Sequence, residues 1–257
     1  MGETLDIFTP DLLGVDPEQV NVVLDDVHVT YRVYEDRRPS LRETVRGERR
    51  RAREIHAVRG VSFVAKRGES IGILGRNGSG KSTLLQALAG VLPVDQGEVY
   101  ARSQPTLLGV GSALQNNVSG RRNIVLGCLA LGLPAAEVDG RVDEVIAFAG
   151  LEEFIDLPMS AYSSGMRARL LFAIATAVVP DILVIDEALA VGDEAFRLKS
   201  KERIASLRDE AGTVFLVSHA LDTMAESCSR IIWLERGRII ADGEPDDIIA
   251  RYRASTV

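Results

Sequence analysis

A glycine-rich stretch constrains the fold of this chain more than any other feature. It reads GILGRNGSGKSTLL, residues 72–85, and it joins a strand-like apolar run, SIGIL, to a helix-like one, STLLQALA. Within it, Gly75 to Ser82 fit the spacing G-x-x-x-x-G-K-[ST], which is typical of a phosphate-binding loop. Glycines let backbone amides approach phosphate oxygens without an intervening Cβ, and the helix that follows adds the positive end of its dipole. The sequence therefore predicts an anion-binding loop between a strand and a helix.

The loop and one distant strand end supply candidate ligand residues. Lys81 is placed to reach the β- and γ-phosphates of a nucleotide, and Ser82 to offer its hydroxyl to Mg²⁺. Asp186 ends the apolar run ILVID, and we expect it to hold the coordination shell of the same ion through water. An ordinary glycine-rich turn is the alternative, and the lysine, the serine and the strand-end aspartate together disfavour it. The predicted nucleotide-binding residues of the loop are Gly75, Arg76, Asn77, Gly78, Ser79, Gly80, Lys81, Ser82 and Thr83.

The rest of the chain alternates between strand-like and helix-like patterns. Residues 20–34 alternate apolar and polar positions, as a half-buried strand does. The short runs ILVIDE and TVFLVSH are typical of parallel strands buried on both faces, and RIIWLERGRIIADGEP predicts a hairpin with Gly237 in its turn. Residues 115–160 show helical periods and few strand signals. This order predicts an α/β core that is interrupted by an inserted helical subdomain.

Composition excludes several classes of function. The 257 residues are 46% hydrophobic, enough for a substantial core, and their formal charge of −7 argues against broad binding of nucleic acid. No apolar run approaches the roughly 18 residues of a membrane-spanning helix. The N-terminus has acids where a signal peptide needs a basic start. Cys128 and Cys228 have no partner at metal-ligand or redox spacing, so we interpret them as buried or idle thiols of a reduced cytosol.

A basic segment separates the first two strand-like runs. Residues 36–54 hold eight arginines against four acids, and they read as an insertion between strands. A solvated, partly helical face is one interpretation of such a charge run. The other is a surface that faces anionic lipid headgroups or a membrane partner. The sequence leaves both open.

Two further segments carry a resemblance to a known family. YSSGMRARLLFAIA, from Tyr162, precedes PDILVIDE by a few residues, and His219 ends the run TVFLVSH. From about residue 20 onward the chain resembles the ATP-binding subunit of an ABC transporter, with Tyr162 to Met166 in the place of the L-S-G-G-Q signature. It departs at three of those five positions and keeps Ser163 and Gly165. The variant SSGMRARL, the segment DEALAVGD and the N-terminal insertion are similar to ATPases that export polysaccharides, such as O-antigen, teichoic acid, capsule or lipid-linked galactan.

The resemblance implies a role for each matching residue. Glu187, directly after the metal-binding aspartate, would activate the attacking water as general base, and His219 would touch the γ-phosphate. Ser163 and Gly165 would cap the γ-phosphate of a nucleotide held by a partner subunit. Asp193 would lie in the loop that crosses the dimer interface. The catalytic residues implied are thus Glu187, His219 and Lys81.

Two of the roles that the resemblance implies have two candidate residues each. The family usually stacks an aromatic ring on adenine, and Tyr31 is the natural choice here, with His56 as its rival. A loop near residue 110 normally carries a glutamine ligand of Mg²⁺. Alignment by the GRRNI segment puts Gly109 at that position, while Gln115 falls six residues later. Gln115 would serve only if the loop were remodelled.

The resemblance also implies an assembly at the cytoplasmic face of the cell membrane. Two copies of the chain would sandwich each ATP between Lys81 of one and Ser163 of the other, and hydrolysis would reopen the sandwich. A separate transmembrane permease, seated near residues 105–125, would follow that motion and export a lipid-linked polysaccharide. Since the sequence ends at Val257 soon after the ATPase, we expect no carbohydrate-binding domain. The alternative is a soluble ABC-type ATPase that acts on ribosomes or nucleic acid without a permease.

The fold implied is α/β, a nucleotide-hydrolysing core of ABC type with an antiparallel β subdomain and an inserted helical subdomain. We expect an N-terminal extension at 1–19, the ATPase core at 20–114 and 176–257, and the helical subdomain with the signature at 115–175.

Overall fold

The structure is a computed structural model that describes residues 16–34, 52–108, 114–186, 193–218 and 220–255. Its strands in these ranges are β1 (Val20–Tyr34), β2 (Ala52–Lys66), β3 (Ser70–Leu74), β4 (Gln96–Ala101), β5 (Thr106–Leu108), β6 (Ile182–Asp186), β7 (Thr213–Val217), β8 (Arg230–Glu235) and β9 (Arg238–Gly243). Its helices in the same ranges are α1 (Lys81–Leu88), α2 (Gly120–Ala130), α3 (Ala135–Ala149), α4 (Ser164–Ala175), α5 (Glu194–Glu210), α6 (Leu221–Ser227) and α7 (Pro245–Ser255). Short 3₁₀ turns lie at Pro17–Gln19 and Met159–Ala161.

The central sheet has six strands in the order β5-β6-β7-β3-β8-β9. Neighbours from β5 to β8 run parallel, and β9 returns antiparallel to β8 through the predicted hairpin turn at Gly237. Alternate residues of β6 face opposite sides of the sheet, as strand geometry requires. Ile182 and Val184 pack in one cluster with α1 and the first two strands. Leu183 and Ile185 pack in another with residues of α5, α6 and α7.

A second sheet is antiparallel, in the order β2-β1-β4. It packs into the same apolar cluster as α1, which fixes its position beside the glycine-rich loop. Strand β4 pairs with β1 only from Val22 to His28, whereas β1 and β2 remain paired to Tyr34 and Ala52. The far ends of β1 and β2 therefore form a two-stranded ribbon beyond the third strand.

Helices α2, α3 and α4 form a helical unit with its own apolar cluster. Each helix contributes to this cluster, α2 through Ile124, α3 through Val142 and α4 through Leu170. Cys128 is buried in the same cluster. The sequence prediction of helices in this part of the chain is confirmed, and so is the α/β architecture around it. The domain boundaries at 115 and 175 stay a prediction.

A half-buried arginine fastens the two sheets together. Arg230 of β8 donates through Nε and Nη2 to the two carboxylate oxygens of Asp242, both at 2.6 Å, and through Nη1 to the carbonyl of Val64 in β2 at 2.8 Å. The hydrogen-bonded Asp242 carboxylate raises the pKa of Arg230, so the guanidinium is charged at every ordinary pH. It holds the antiparallel sheet, and with it β1, against the central sheet.

Both cysteines are buried and unpaired, Cys128 in α2 and Cys228 directly after α6. Burial raises the pKa of the Cys228 thiol to about 11, so it is protonated near neutral pH. The prediction of buried thiols is confirmed. Among the helices of the described ranges, none combines the length and apolar character needed to cross a membrane.

Candidate functional site

The glycine-rich loop lies at the carboxyl edge of the central sheet, between β3 and α1. In a parallel sheet all strands run in the same direction, so neighbouring strands have their carboxyl ends at the same edge. Ligands bind at that edge. Gly80 is the N-cap of α1, with φ of 105°, and no side chain caps the amides behind it. A Cβ at Gly80 would clash with the carbonyl oxygen of Ala57 in β2. The chain thus needs glycine at this point, and this start of α1, without a side-chain cap, is suited to donate its amides to an anion.

Lys81 turns back over the loop rather than out into solvent. Its Nζ donates to the carbonyl of Gly75 at 2.7 Å and to that of Arg76 at 3.1 Å, and only 7% of the residue is exposed. A buried ammonium is stabilised only by such close oxygen partners. The amine therefore lies inside the curve of the loop, where an anionic ligand would meet it.

The loop is held in place by the distant hairpin turn. The amide of Gly237 donates to the carbonyl of Ser79 at 2.8 Å, and the amide of Arg59 donates to the carbonyl of Gly237 at 2.8 Å. Ser79 is itself buried, and its Oγ has no hydrogen-bond partner in the structure. The loop is thus braced by backbone from β2 and from the β8–β9 turn, while one buried hydroxyl inside it is unsatisfied.

The other loop residues and Asp186 differ in exposure. Arg76, Asn77, Gly78 and Ser82 are exposed, and Thr83 is half-buried. Asp186 ends β6 and is half-buried, and it pairs in register with Val217 at the end of β7. Since β7 also pairs with β3, Asp186 and the loop belong to the same edge of the sheet.

Three residues expected at this edge lie outside the described residues, namely Glu187, His219 and Gly109. The strands that precede them are described. β5 ends at Leu108, opposite Ile185, and β7 ends at Val217. The roles given to Glu187 and His219 stay predictions.

The two candidates for the adenine contact lie on opposite faces of the β1–β2 ribbon. Tyr31 pairs with Ile55, and Thr30 pairs with His56, so alternation along β1 separates the two faces. The hydroxyl of Tyr31 lies 3.4 Å from Oγ1 of Thr83 in α1. The Nδ1 atom of His56 lies 3.0 Å from Oγ1 of Thr30 on the other face. Of the two side chains, that of Tyr31 is the one in contact with the loop helix.

The signature-like segment begins helix α4 in the helical unit. Ser163 is its N-cap and accepts a hydrogen bond from the amide of Met166 at 3.2 Å, and both Ser163 and Gly165 are exposed. Tyr162, directly before, is buried and donates from its hydroxyl to the carbonyl of Phe154 at 2.8 Å. Burial raises the pKa of the Tyr162 phenol, so it is a proton donor at neutral pH. The first signature position thus belongs to the core of the helical unit, and the next ones face outward.

Two other predicted residues have clear local roles. Asp193 is the exposed N-cap of α5, and its Oδ1 accepts from the amide of Phe196 at 2.9 Å. Gln115 is exposed, and its backbone is held by the side chain of buried Asn123 through bonds of 2.7 and 3.1 Å. No contact in the described ranges brings Gln115 to the loop or to Asp186.

The residues present fit a bound triphosphate and its metal ion. The N-terminus of α1 has no side-chain cap, a buried ammonium lies inside the loop, and the buried hydroxyl of Ser79 is unsatisfied. Ser82 and Asp186 supply the hard oxygen atoms that Mg²⁺ prefers. No group of three or more histidine, cysteine, aspartate or glutamate side chains gathers in the described ranges.

The comparisons with known proteins agree with this geometry. The family model for the ABC transporter matches residues 58–190, which include the loop, the signature-like segment and Asp186. The chain belongs to the ABC transporter family. The teichoic acids export ATP-binding protein TagH of Enterococcus faecalis is 43% identical over 77% of this chain and 44% of that protein. The O-antigen export system ATP-binding protein RfbB of Myxococcus xanthus is 40% identical over 92% of this chain and 56% of that protein. This ABC-family chain therefore spans about half the length of these curated relatives.

Solved structures confirm the ABC fold. An ATP-binding subunit of an ABC transporter superposes with a TM-score of 0.67 at 22% identity, covering 90% of this chain and 93% of that one. A dimeric ATP-binding cassette in a post-hydrolysis state, bound to ADP and Pi, gives 0.64 at 22% identity, covering 87% and 98%. At such identity the likeness concerns the fold alone. The predicted family and fold are confirmed.

The sequence did not indicate the residues that brace the site from a distance. Gly237 was predicted as a turn, but its contact with Ser79 joins positions far apart in the chain. Lys199 and Arg203, on the exposed-looking helix α5, also contact the helical unit. The sequence assigned neither cation a role, and no local pattern says which carbonyl groups they meet.

Proposed function

We propose that this chain is the ATP-hydrolysing subunit of a membrane exporter that moves a lipid-linked polysaccharide through a separate permease. The loop with Lys81 inside it, at the edge shared with Asp186, is the observation that carries the ATPase part. The likeness to TagH and RfbB, which are named for teichoic acid and O-antigen export, supports the substrate class. Cell-wall galactan, teichoic acid and capsule are the candidates.

The loop would bind ATP by exchanging internal contacts for phosphate contacts. Lys81 would leave the carbonyls of Gly75 and Arg76 and meet the β- and γ-phosphates, and the uncapped amides of α1 would donate to the same oxygens. Tyr31 would stack on adenine, since its side chain is on the face of the ribbon that contacts α1. When bound, Mg²⁺ would neutralise phosphate charge, with Ser82 and Asp186 holding its shell.

Hydrolysis would need residues from two copies of the chain. Glu187 would accept the proton of the attacking water, and His219 would contact the γ-phosphate. Ser163 and Gly165, exposed at the start of α4, would meet the nucleotide held by the other copy, with Asp193 beside that interface. Closure and reopening of this pair would move a permease seated near residues 105–125 at the cytoplasmic face.

The basic segment at 36–54 would meet anionic lipid or the permease. Its residues 36–51 lie outside the described ones, and the ribbon of β1 and β2 holds the two flanking positions, Tyr34 and Ala52, opposite each other. Arg53, next along β2, is exposed. Such a cluster of arginines attracts anionic headgroups at low ionic strength.

The replacement Glu187→Gln tests the hydrolytic role most simply. The variant should keep its ATP affinity and lose most turnover, because the amide cannot accept the proton, and ATP should then trap closed dimers that sedimentation detects. Glu202→Gln, at an exposed position of α5, is the matched control and should behave as the parent. Normal turnover in Glu187→Gln would remove the assigned base.

The export role has its own readout. Depleting the chain should make a lipid-linked glycan accumulate inside cells, and the chain should co-purify with a polytopic membrane protein. Stimulation of its ATPase by nucleic acid or ribosomes, without such a partner, would favour the soluble alternative instead.

A further inference from the structure

One face of α5 meets the C-terminal ends of two helices of the helical unit. Lys199 and Arg203 are four residues apart, so they lie one turn apart on the same face of α5. Nζ of Lys199 donates to the carbonyls of Ala147, at 3.3 Å, and Phe148, at 3.1 Å, in the last turn of α3. Arg203 donates to the carbonyl of Thr176, the C-cap of α4, through Nε at 3.1 Å and Nη2 at 2.5 Å. We name these two cations the α5 clamp.

The α5 clamp suits the chemistry of helix ends. The last four carbonyls of a helix have no partner within it, and the helix dipole leaves partial negative charge there. A lysine and an arginine satisfy both requirements with charge-assisted hydrogen bonds. One helix therefore holds the ends of two others through polar contacts of more than average strength.

Aromatic rings pack beside the clamp. Phe196 of α5 lies edge-on to Phe148 of α3 and Phe172 of α4, with centroid separations of 5.6 and 5.8 Å. Lys199 Nζ also lies 4.7 Å from the centroid of the Phe148 ring. A cavity of about 160 Å³, lined in part by Arg203, borders the same contact. The hydrogen bonds of the clamp and this ring packing together hold the end of α4 against α5.

Two of the helices joined by the clamp, α4 and α5, begin at predicted interface residues. The N-cap of α4 is Ser163, and this helix has 12 residues, so the clamp acts about 18 Å from that serine. The N-cap of α5 is Asp193, which is tied to Phe196 by a hydrogen bond of 2.9 Å. A tilt of about 10° at the clamped end would move Ser163 by about 3 Å, a hydrogen-bond length.

We propose that Lys199 and Arg203 are positioning residues that fix Ser163 and Asp193 relative to each other, so that two copies can close on ATP. This inference rests on the nucleotide sandwich proposed above. The clamp touches neither the loop nor the nucleotide. It acts on closure of the pair and leaves the binding of nucleotide by one copy unchanged.

The test measures ATP-driven dimerisation of the full chain in the Glu187→Gln background. With Lys199→Met and Arg203→Met together, the ATP concentration for half-maximal dimerisation by sedimentation should rise about tenfold, equivalent to about 1.4 kcal/mol for each nucleotide bound. The affinity for ADP, measured by calorimetry on the monomer, should stay within about twofold. Lys201→Met removes a charge from an exposed position of the same helix and should leave both values unchanged.

The outcomes distinguish failure of the α5 clamp from failure of the proposed nucleotide sandwich. If Glu187→Gln itself does not dimerise with ATP, the proposed function fails, and the clamp fails with it. If Glu187→Gln dimerises and the double variant dimerises equally well, the clamp alone is overturned. Loss of ADP affinity in parallel with dimerisation would indicate a general loss of structure and would also overturn it.

A conservative variant covers the case in which the double variant does not fold. Arg203→Lys keeps the charge but cannot give Thr176 two donors from one planar group. It should weaken dimerisation about threefold at unchanged melting temperature. Lys199→Arg keeps charge and donors at the end of α3 and should dimerise as the parent does. Equal dimerisation by Arg203→Lys and the parent would overturn the proposal.

Discussion

Two helices of this molecule begin at predicted phosphate-binding positions, and they begin in opposite ways. Helix α1 starts after Gly80, in a left-handed conformation with no side-chain cap, and Lys81 is buried against loop carbonyls. Helix α4 starts after Ser163, whose own hydroxyl caps the amide of Met166, and the serine is exposed. The first start has a buried lysine and no side-chain cap, whereas the second is exposed and capped by its own serine.

The difference separates a binding site from a docking position. An uncapped helix start with an internal ammonium gains most from an anion bound by the same chain. A start that satisfies itself is stable without ligand, and its exposure lets it meet a ligand carried by another molecule. Replacing residues at the start of α1 should therefore affect binding by one copy, and replacing residues at the start of α4 should affect the pairing of two copies.

Lys81→Ala should have the largest effect. Removing the ammonium deletes the charged donor inside the loop, and ATP affinity should fall about 100-fold or more, equivalent to about 2.7 kcal/mol. Calorimetry with ATP measures this directly. Lys66→Ala, at an exposed position of β2, should bind as the parent does. Unchanged affinity in Lys81→Ala would count against the loop as the binding site.

Replacing glycines within the loop should show that the shape of the start of α1 matters as much as its charge. Gly80→Ala adds a Cβ that meets the carbonyl oxygen of Ala57. The free energy of unfolding, measured in urea, should therefore fall by about 3 kcal/mol, and ATP affinity should be lost. Gly78 also has positive φ, at 79°, but no atom lies within 4 Å of its added Cβ. Gly78→Ala should lose only about 1 kcal/mol. Equal losses would mean that contact with Ala57 does not define the loop.

Ser163→Ala should have the smallest effect on a single copy of the chain. It should specifically weaken the pairing of two copies. It removes an N-cap, which costs about 1 kcal/mol of stability. Ser119→Ala is the matched control, because Ser119 caps α2 in the same way by accepting from the amide of Arg122 at 3.3 Å. Both variants should melt at similarly lowered temperatures, and only Ser163→Ala should also weaken ATP-driven dimerisation. Equal dimerisation by the two would leave Ser163 as a cap alone.

Local patterns predicted the fold well because short segments of the sequence determine its main elements. The alternation of residues 20–34 gave β1 its bounds, and the glycine-rich loop fixed the order of strand, loop and helix. The buried strands β6 and β7 followed from short aliphatic runs. In each case the physical cause, a period of two, a required glycine or a short aliphatic run, lies within a few residues of its effect.

Contacts between distant segments were beyond local patterns. The side-chain Nδ2 of Asn21 donates to Oγ1 of Thr213 at 2.8 Å, joining the two sheets across 192 positions. Tyr162 was placed in the signature by alignment, but its ring packs into the helical unit. The carbonyls that Lys199 and Arg203 meet depend on how three helices pack, which no single helix specifies. The same limit left Tyr31 and His56 as alternatives; the pairing of β1 with β2 puts them on opposite faces, and the adenine contact stays a prediction.

The central claim is that each nucleotide is shared between two copies, and mixing two defective variants tests it most directly. Lys81→Ala cannot bind at its own loop, and Ser163→Arg blocks the start of α4 with a bulky side chain, so each alone should be nearly inactive. A mixed pair has one site with both residues intact. We expect ATPase activity to return when the two purified variants are mixed. If the mixture stays as inactive as its components while both remain folded and able to pair, each site lies within one copy, and the account is contradicted.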